Sequence, residues 1–144
     1  MKKIIIGLFA ISFALGSCTT SSRSSNNNTT TPAQVIQTVQ SGAWKISYFF
    51  DSGKNETNNY NNYLFTFQSN GTLTASNGSN TVNGTWSSGN DDSQTKLVIL
   101  LGNTDPWNDI SDDWHVIAQS STQIQLQDVS GGSGDIDYLT FTKN

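Results

Sequence analysis

Few residues in this sequence could do chemistry. There is one cysteine, Cys18, one histidine, His115, one glutamate, Glu56, and two adjacent acid pairs, Asp91-Asp92 and Asp112-Asp113. A histidine that titrates near neutrality can serve as a general base, and two carboxylates flanking a sugar can hydrolyse a glycosidic bond. Neither chemistry finds its setting here. His115 is expected on the outward face of a strand beside Trp114, as a solvated surface residue. The acid pairs and Glu56 fall in loops among polar residues, where carboxylates are expected to keep their ordinary acidity. No serine, histidine and aspartate stand in an order that argues for a nucleophilic triad. The expectation is a protein that binds rather than transforms, without a cofactor.

The richest polar stretch is GNTDPWNDISDDWH, residues 102–115. Asp105, Asp109, Asp112 and Asp113 offer hard oxygen donors that would suit calcium. Their spacing lacks the turn glycine and closing glutamate of an EF-hand loop. They are weak metal candidates, and the favoured reading is structural. Asp105 would cap a short helix with Pro106 in its first position, and Trp107 and Ile110 would fold inward as a lid.

Cys18 has a different context. Lys2 and Lys3 precede an apolar run, residues 4–15, that is too short for an ordinary membrane span and matches a secretory signal. Leu15-Gly16-Ser17-Cys18 resembles the lipobox of bacterial lipoproteins. That resemblance implies a signal peptide over 1–17, cleavage before Cys18, diacylation of its thiol and acylation of the new amino terminus. Two or more acyl chains hold a protein stably on a membrane without spanning it.

Residues 18–31 then read as the lipidated cysteine and a disordered tether, since TTSSRSSNNNTTT has no apolar side chain with which to repay ordering. From Cys18 to Ala33 the chain reaches roughly 50 Å fully extended and roughly 20–24 Å as a coil. Surface-exported lipoproteins of Bacteroidetes, which this chain resembles, often carry acids just after the cysteine. Here the first acid is Asp51 and Arg23 is basic, which points to the periplasm-facing leaflet of the outer membrane over the cell surface. Removing Lys2 and Lys3 leaves five basic residues against eleven acidic ones, a net charge of −6. Phosphate backbones would repel such a domain, so nucleic acid is excluded as a partner.

Residues 32–144 form one domain by length. Thr31, Pro32 and Gly42 can start and end a short helix whose apolar stripe is Val35, Ile36 and Val39. Beyond Gly42 the apolar period becomes two. Trp44, Ile46, Tyr48 and Phe50 share one face, leaving Phe49 outside. Phe65 and Phe67, Leu73 and Ala75, Val82 and Trp86, Trp114, Val116 and Ala118, Ile124 and Leu126, and Leu139 and Phe141 repeat the alternation. KLVILLG (96–102) is a continuous apolar run, expected to be the best-buried strand. Asn70-Gly71, Asn77-Gly78, Gly89-Asn90 and Gly131-Gly132-Ser133-Gly134 mark the turns. Eight short strands joined by tight turns predict an all-β antiparallel meander whose edges close into a barrel.

Gly42-Ala43-Trp44, just after a short helix, resembles the G-x-W signature of lipocalins. With FTFQSNGTL (65–73), GTWS (84–87) and DYLTFTK (137–143), the pattern is similar to lipocalin-like domains of Bacteroidetes lipoproteins. The resemblance implies an eight-stranded up-and-down barrel with Trp44 packed across its closed end. Lipocalins often lay a late arginine over that tryptophan, and Lys143 is the basic residue in place here. An eight-stranded barrel either holds one small ligand or is filled by its own side chains. In the first case Trp44, Ile46, Tyr48, Phe50, Phe65, Phe67, Trp86, Trp114 and Phe141 would line a site for a small apolar or amphipathic ligand. In the second, the outer surface would bind an envelope protein or a glycan, and Phe49 and Tyr60 are expected among its exposed aromatics.

Overall fold

The computed structural model describes residues 29–91, 93–129 and 134–144. Residues 1–17, expected as a signal peptide, Cys18, most of the expected tether and Gly131-Gly132-Ser133 lie outside the described residues. The described residues form one α-helix, α1 (Pro32–Val39), and nine strands. These are β1 (Ala43–Asp51), β2 (Lys54–Asn55), β3 (Leu64–Phe67), β4 (Thr72–Ser76), β5 (Thr81–Asp91), β6 (Gln94–Leu100), β7 (Asp113–Gln119), β8 (Gln123–Val129) and β9 (Ile136–Lys143). Consecutive strands pair antiparallel, and β9 returns to pair with β1. The two-residue β2 is a hairpin extension on β1. The remaining eight strands make the closed antiparallel up-and-down barrel that the sequence predicts, which leaves no sheet edge along its circumference.

The barrel is unevenly sewn. β1 meets β9 through six Cα partners, from Trp44↔Lys143 to Phe50↔Tyr138. It meets β3 through only two, Ala43↔Thr66 and Trp44↔Phe65. The connection Glu56–Tyr63 occupies the gap, with Phe49 N–H donating to Thr57 Oγ1 at 2.8 Å and Glu56 N–H donating to Phe49 O at 3.0 Å.

α1 closes one mouth. Thr31 caps it in a reciprocal capping box with Gln34, which satisfies two orphan donors at once. Its C-cap is Gln40 in helical backbone, so Gly42 is not the stop signal the sequence suggested. Gly42 serves Lys143 instead, since a Cβ there would lie 3.0 Å from Lys143 Cε. The lysine passes over that bare backbone, sets Nζ 6.0 Å from the centre of the Trp44 ring and donates to Ser41 Oγ at 3.0 Å. Trp44 is fully buried and donates its indole N–H to Val39 O at 2.8 Å. Helix, tryptophan and lysine thus seal this end together.

The opposite mouth is closed by the segment between β6 and β7. No helix forms there. Trp107 and Asn108 N–H groups both donate to Thr104 O, at 2.9 and 3.1 Å, and Ser111 N–H donates to Asn108 O at 3.0 Å. Thr104 rather than Asp105 therefore starts the turn. Trp107 and Ile110 nevertheless fold inward, Ile110 completely and Trp107 in part. Tyr60, in the 3-10 turn Thr57–Tyr60, donates its hydroxyl to Pro106 O, and its ring and that of Tyr63 meet Trp107 edge to face at 5.9 and 4.9 Å.

Two strands change phase where the sequence predicts none. A bulge between Ile46 and Tyr48 in β1 inserts one residue, and one residue exchanges inside for outside. Phe49 is therefore buried, while Tyr48 and Phe50 turn outward. Tyr60, also expected outside, is buried under Trp107. A second bulge between Val116 and Ala118 in β7 puts Ala118 and Ile117 at the surface. β6 is not buried throughout: Leu97 and Ile99 point in, while Leu100 is exposed.

Candidate functional site

Seven of the nine candidate lining residues do share the barrel interior: Trp44, Ile46, Phe65, Phe67, Trp86, Trp114 and Phe141, each 0–8% exposed. Their rings interlock edge to face, Phe141 against Phe65 at 5.3 Å and Phe67 at 5.7 Å, and Phe67 against Trp86 at 5.5 Å. Phe49 adds a contact with Trp114 at 6.3 Å. Trp44, Phe49, Phe65, Leu73, Ala75, Leu97, Ile99, Ile124, Leu139 and Phe141 are all at zero exposure. A surface at zero touches neither bulk solvent nor an internal void that would admit a water. The interior behaves as a close-packed core.

The clefts lie outside. One, about 390 Å³, opens beside the β1–β3 gap, where Lys45, Ile46, Asn61, Asn62, Leu64 and Asn144 line it with Tyr60 and Tyr63. Another, about 250 Å³, lies over β5 and β6, bounded by Ser88, Asn90, Asp91, Lys96 and Asp113. Here Lys96 Nζ bridges Asp91, at 2.9 Å, and Asp113. The hydrogen bond to Asp113 and that to Asp91 hold the ammonium well above the usual lysine range, and Lys96 in turn lowers Asp113.

The four weak calcium candidates do not make one site. Asp105 and Asp109 belong to the lid, near Tyr60. Asp112 and Asp113 meet Asp128, whose ligand atoms lie within 4.8 Å of theirs. Asp128 comes from β8, and local spacing carries no signal of it. Asp109 and Asp112 depart from ordinary acidity. Burial, chiefly, raises Asp109, with Asp105 and Glu56 adding repulsion. Burial also raises Asp112, against a lowering hydrogen bond from the Asp113 backbone. Burial, and after it Asp109, Glu56, Asp51 and Asp105, push Tyr60 far above a normal phenol. His115 is half-buried on β7, opposite Lys96 on one side and Gln127 on the other.

Asp109 has a testable consequence. A raised carboxylate favours its neutral form in the fold, so its contribution is complete below the unfolded value near 3.9 and is lost as pH rises through the folded value. Asp109→Asn should therefore raise Tm by roughly 1–3 °C at pH 7, with the gain gone at pH 3. A melting series across that window checks it, and a lower Tm at pH 7 would show the charge to be useful in the fold.

The outer face carries an arrangement absent from the sequence reading. Tyr48 and Phe50 stack at 6.4 Å with planes 6° apart. Phe50 is the partner of Tyr138, and Val129 of Ile136. Leu139 and Phe141 point inward, so Ile136 and Tyr138 share the outer face with Phe50. Tyr48, Ile136 and Val129 are 40%, 40% and 48% exposed. The result is an apolar strip over β1, β9 and β8 at the lid end of the barrel.

Fold and surface together define an eight-stranded, lipocalin-like barrel with its interior filled and both mouths shut. The chain matches no described protein family, and no curated protein matches it. Among solved structures it is similar to a crystal structure of a DUF4847 family protein from Bacteroides vulgatus, at 19% identity and a TM-score of 0.48, over 76% of this chain and 97% of that one. The barrel assignment itself stands on the strand pairing of this chain.

Proposed function

We propose that this protein is a lipid-anchored envelope protein that binds through its outer surface and uses its barrel as a rigid, filled scaffold. The observation that carries this reading is the burial of the inward-facing rings, complete at Trp44, Phe49, Phe65 and Phe141: a barrel of this size has room for side chains or for a ligand, and here side chains take it. The alternative, a carrier of a small apolar molecule, would require Phe65, Phe67 and Phe141 to part from one another. The lipobox-like stretch ending at Cys18 supports anchoring, and the tether points the same way. Thr95 Oγ1 donates to Thr30 O at 2.7 Å, so the chain arrives at the α1 end, and the lid end would face away from the lipid. The setting we favour is the periplasmic leaflet of the outer membrane, with no catalytic step and no nucleic-acid partner.

Two measurements test this. Cys18→Ala should move the protein from the membrane fraction into the soluble fraction essentially completely, because acyl chains are the anchor. Native mass spectrometry of protein taken from its own envelope in mild detergent should give the mass of the lipidated polypeptide alone. A reproducible extra mass that leaves on denaturation would replace the scaffold reading with the carrier.

A further inference from the structure

We infer that the outer strip of Tyr48, Phe50, Tyr138, Ile136 and Val129 docks a cationic protein segment that carries apolar or aromatic anchors. This rests on the outer-surface reading above and names the partner class.

Three observations converge on it. The strip is continuous through cross-strand partners and a ring stack, and exposed apolar patches of this kind mark interaction sites. Charge at the same end is strongly one-sided. Two carboxylates lie in 51–56, four in 105–113 and three in 128–137, nine of the eleven in the chain. Among the described residues, Lys54 stands against them at this end, while Lys96 reaches Asp113 from β6. Finally, the acids are set against one another. Asp128 and Asp137 are directly opposite on β8 and β9, a placement that is destabilising for like charges, and Asp112 lies against Asp128. A lysine or arginine arriving at this rim would relieve that repulsion, and its neighbours could stack on Tyr48 and Phe50, whose ring faces also attract cations. The same field repels a second copy of this chain and lipid phosphate, and it steers basic partners inward. The strip lies at the end opposite Thr30, clear of the tether.

The test uses the full lipidated protein in phosphatidylcholine nanodiscs, with empty discs subtracted. Three probes are titrated: a short synthetic peptide alternating lysine with tryptophan, the same peptide with glutamate for lysine, and a neutral hexasaccharide. The lysine peptide should bind, weakening as salt rises, and the glutamate peptide should not. The double variant Tyr48→Ser, Ile136→Ser should weaken the lysine peptide about tenfold with its Tm within roughly 3 °C of wild type. Asp51→Asn with Asp128→Asn should weaken it and flatten the salt dependence. Equal binding to the strip variant would reduce the effect to general electrostatics and overturn the proposal. Failure of the lysine peptide, or binding of the hexasaccharide in its place, would also overturn it while leaving the scaffold reading intact. That reading falls instead to evidence of an occupied or open interior, such as a bound mass in the native spectrum.

Discussion

Gly84→Ala is expected to destabilise the barrel by about 3 kcal/mol or more, lowering Tm by roughly 10–20 °C. Gly84 sits in β5 opposite Leu73, two residues before the inward-facing Trp86, so an added methyl would point into the barrel. That space is already taken by backbone. The methyl would meet the Leu100 carbonyl oxygen, with Leu101 Cα at 2.8 Å and the Leu100 carbonyl carbon at 2.9 Å. Here β6 ends and the chain turns inward to form the lid, and Leu101 is buried at the turn. A flexible side chain could swing aside; a peptide group at the root of the lid cannot. Gly89→Ala, on the same strand with nothing within 4 Å of its added methyl, is the control and should change Tm by less than roughly 3 °C. Chemical denaturation of both variants decides the matter. Matching midpoints would mean that the lid root is free to move.

Phe141→Ala should cost about 3–5 kcal/mol, for a different reason. Phe141 is fully buried in β9 and touches both Phe65 and Phe67, so its removal leaves a hole in the middle of the aromatic cluster rather than a clash. Apolar cavities of this kind stay dry and accept small aromatic molecules. Benzene should therefore raise the Tm of the variant by the linkage of binding to folding and leave wild type unmoved. Thermal melts with and without benzene check both halves. A wild-type protein stabilised as strongly as the variant would mean that room for a ligand existed from the outset, and the scaffold reading would fail with it.

The strands were legible because alternation of apolar and polar residues survives without knowledge of partners. Leu73 and Ala75, Ile124 and Leu126, and Leu139 and Phe141 all face where a period of two puts them. Closure followed from the turn signals. The errors cluster at bulges. In Tyr48-Phe49-Phe50 three aromatics are adjacent, so either phase buries a large ring, and only the pairing of Phe49 with Leu139 on β9 chooses. The lid was half legible: Trp107 and Ile110 were apolar residues in a polar loop and had to go somewhere, but which carbonyl closes the turn depends on Ser111, whose hydroxyl donates to Trp107 O and accepts from Leu101 N–H. The grouping of Asp112 and Asp113 with Asp128 and the outer strip were not legible: the first depends on a β7–β8 register that a bulge shifts, and the second joins β1 to β9 from opposite ends of the domain.

The asymmetric seam of the barrel has a consequence for how the protein is made. β1, among the first elements to be synthesised, is held chiefly by β9 and only at two positions by β3. The strand that shuts the cylinder is thus the last of the nine strands to be synthesised, and the longest loop among them must be closed before this seam can form. Until then β1 has no full-length neighbour and the core cannot assemble around Trp44 and Phe49. On the proposed route of export, where a chain threads its channel unfolded, this order of assembly would keep the barrel open until β9 is complete.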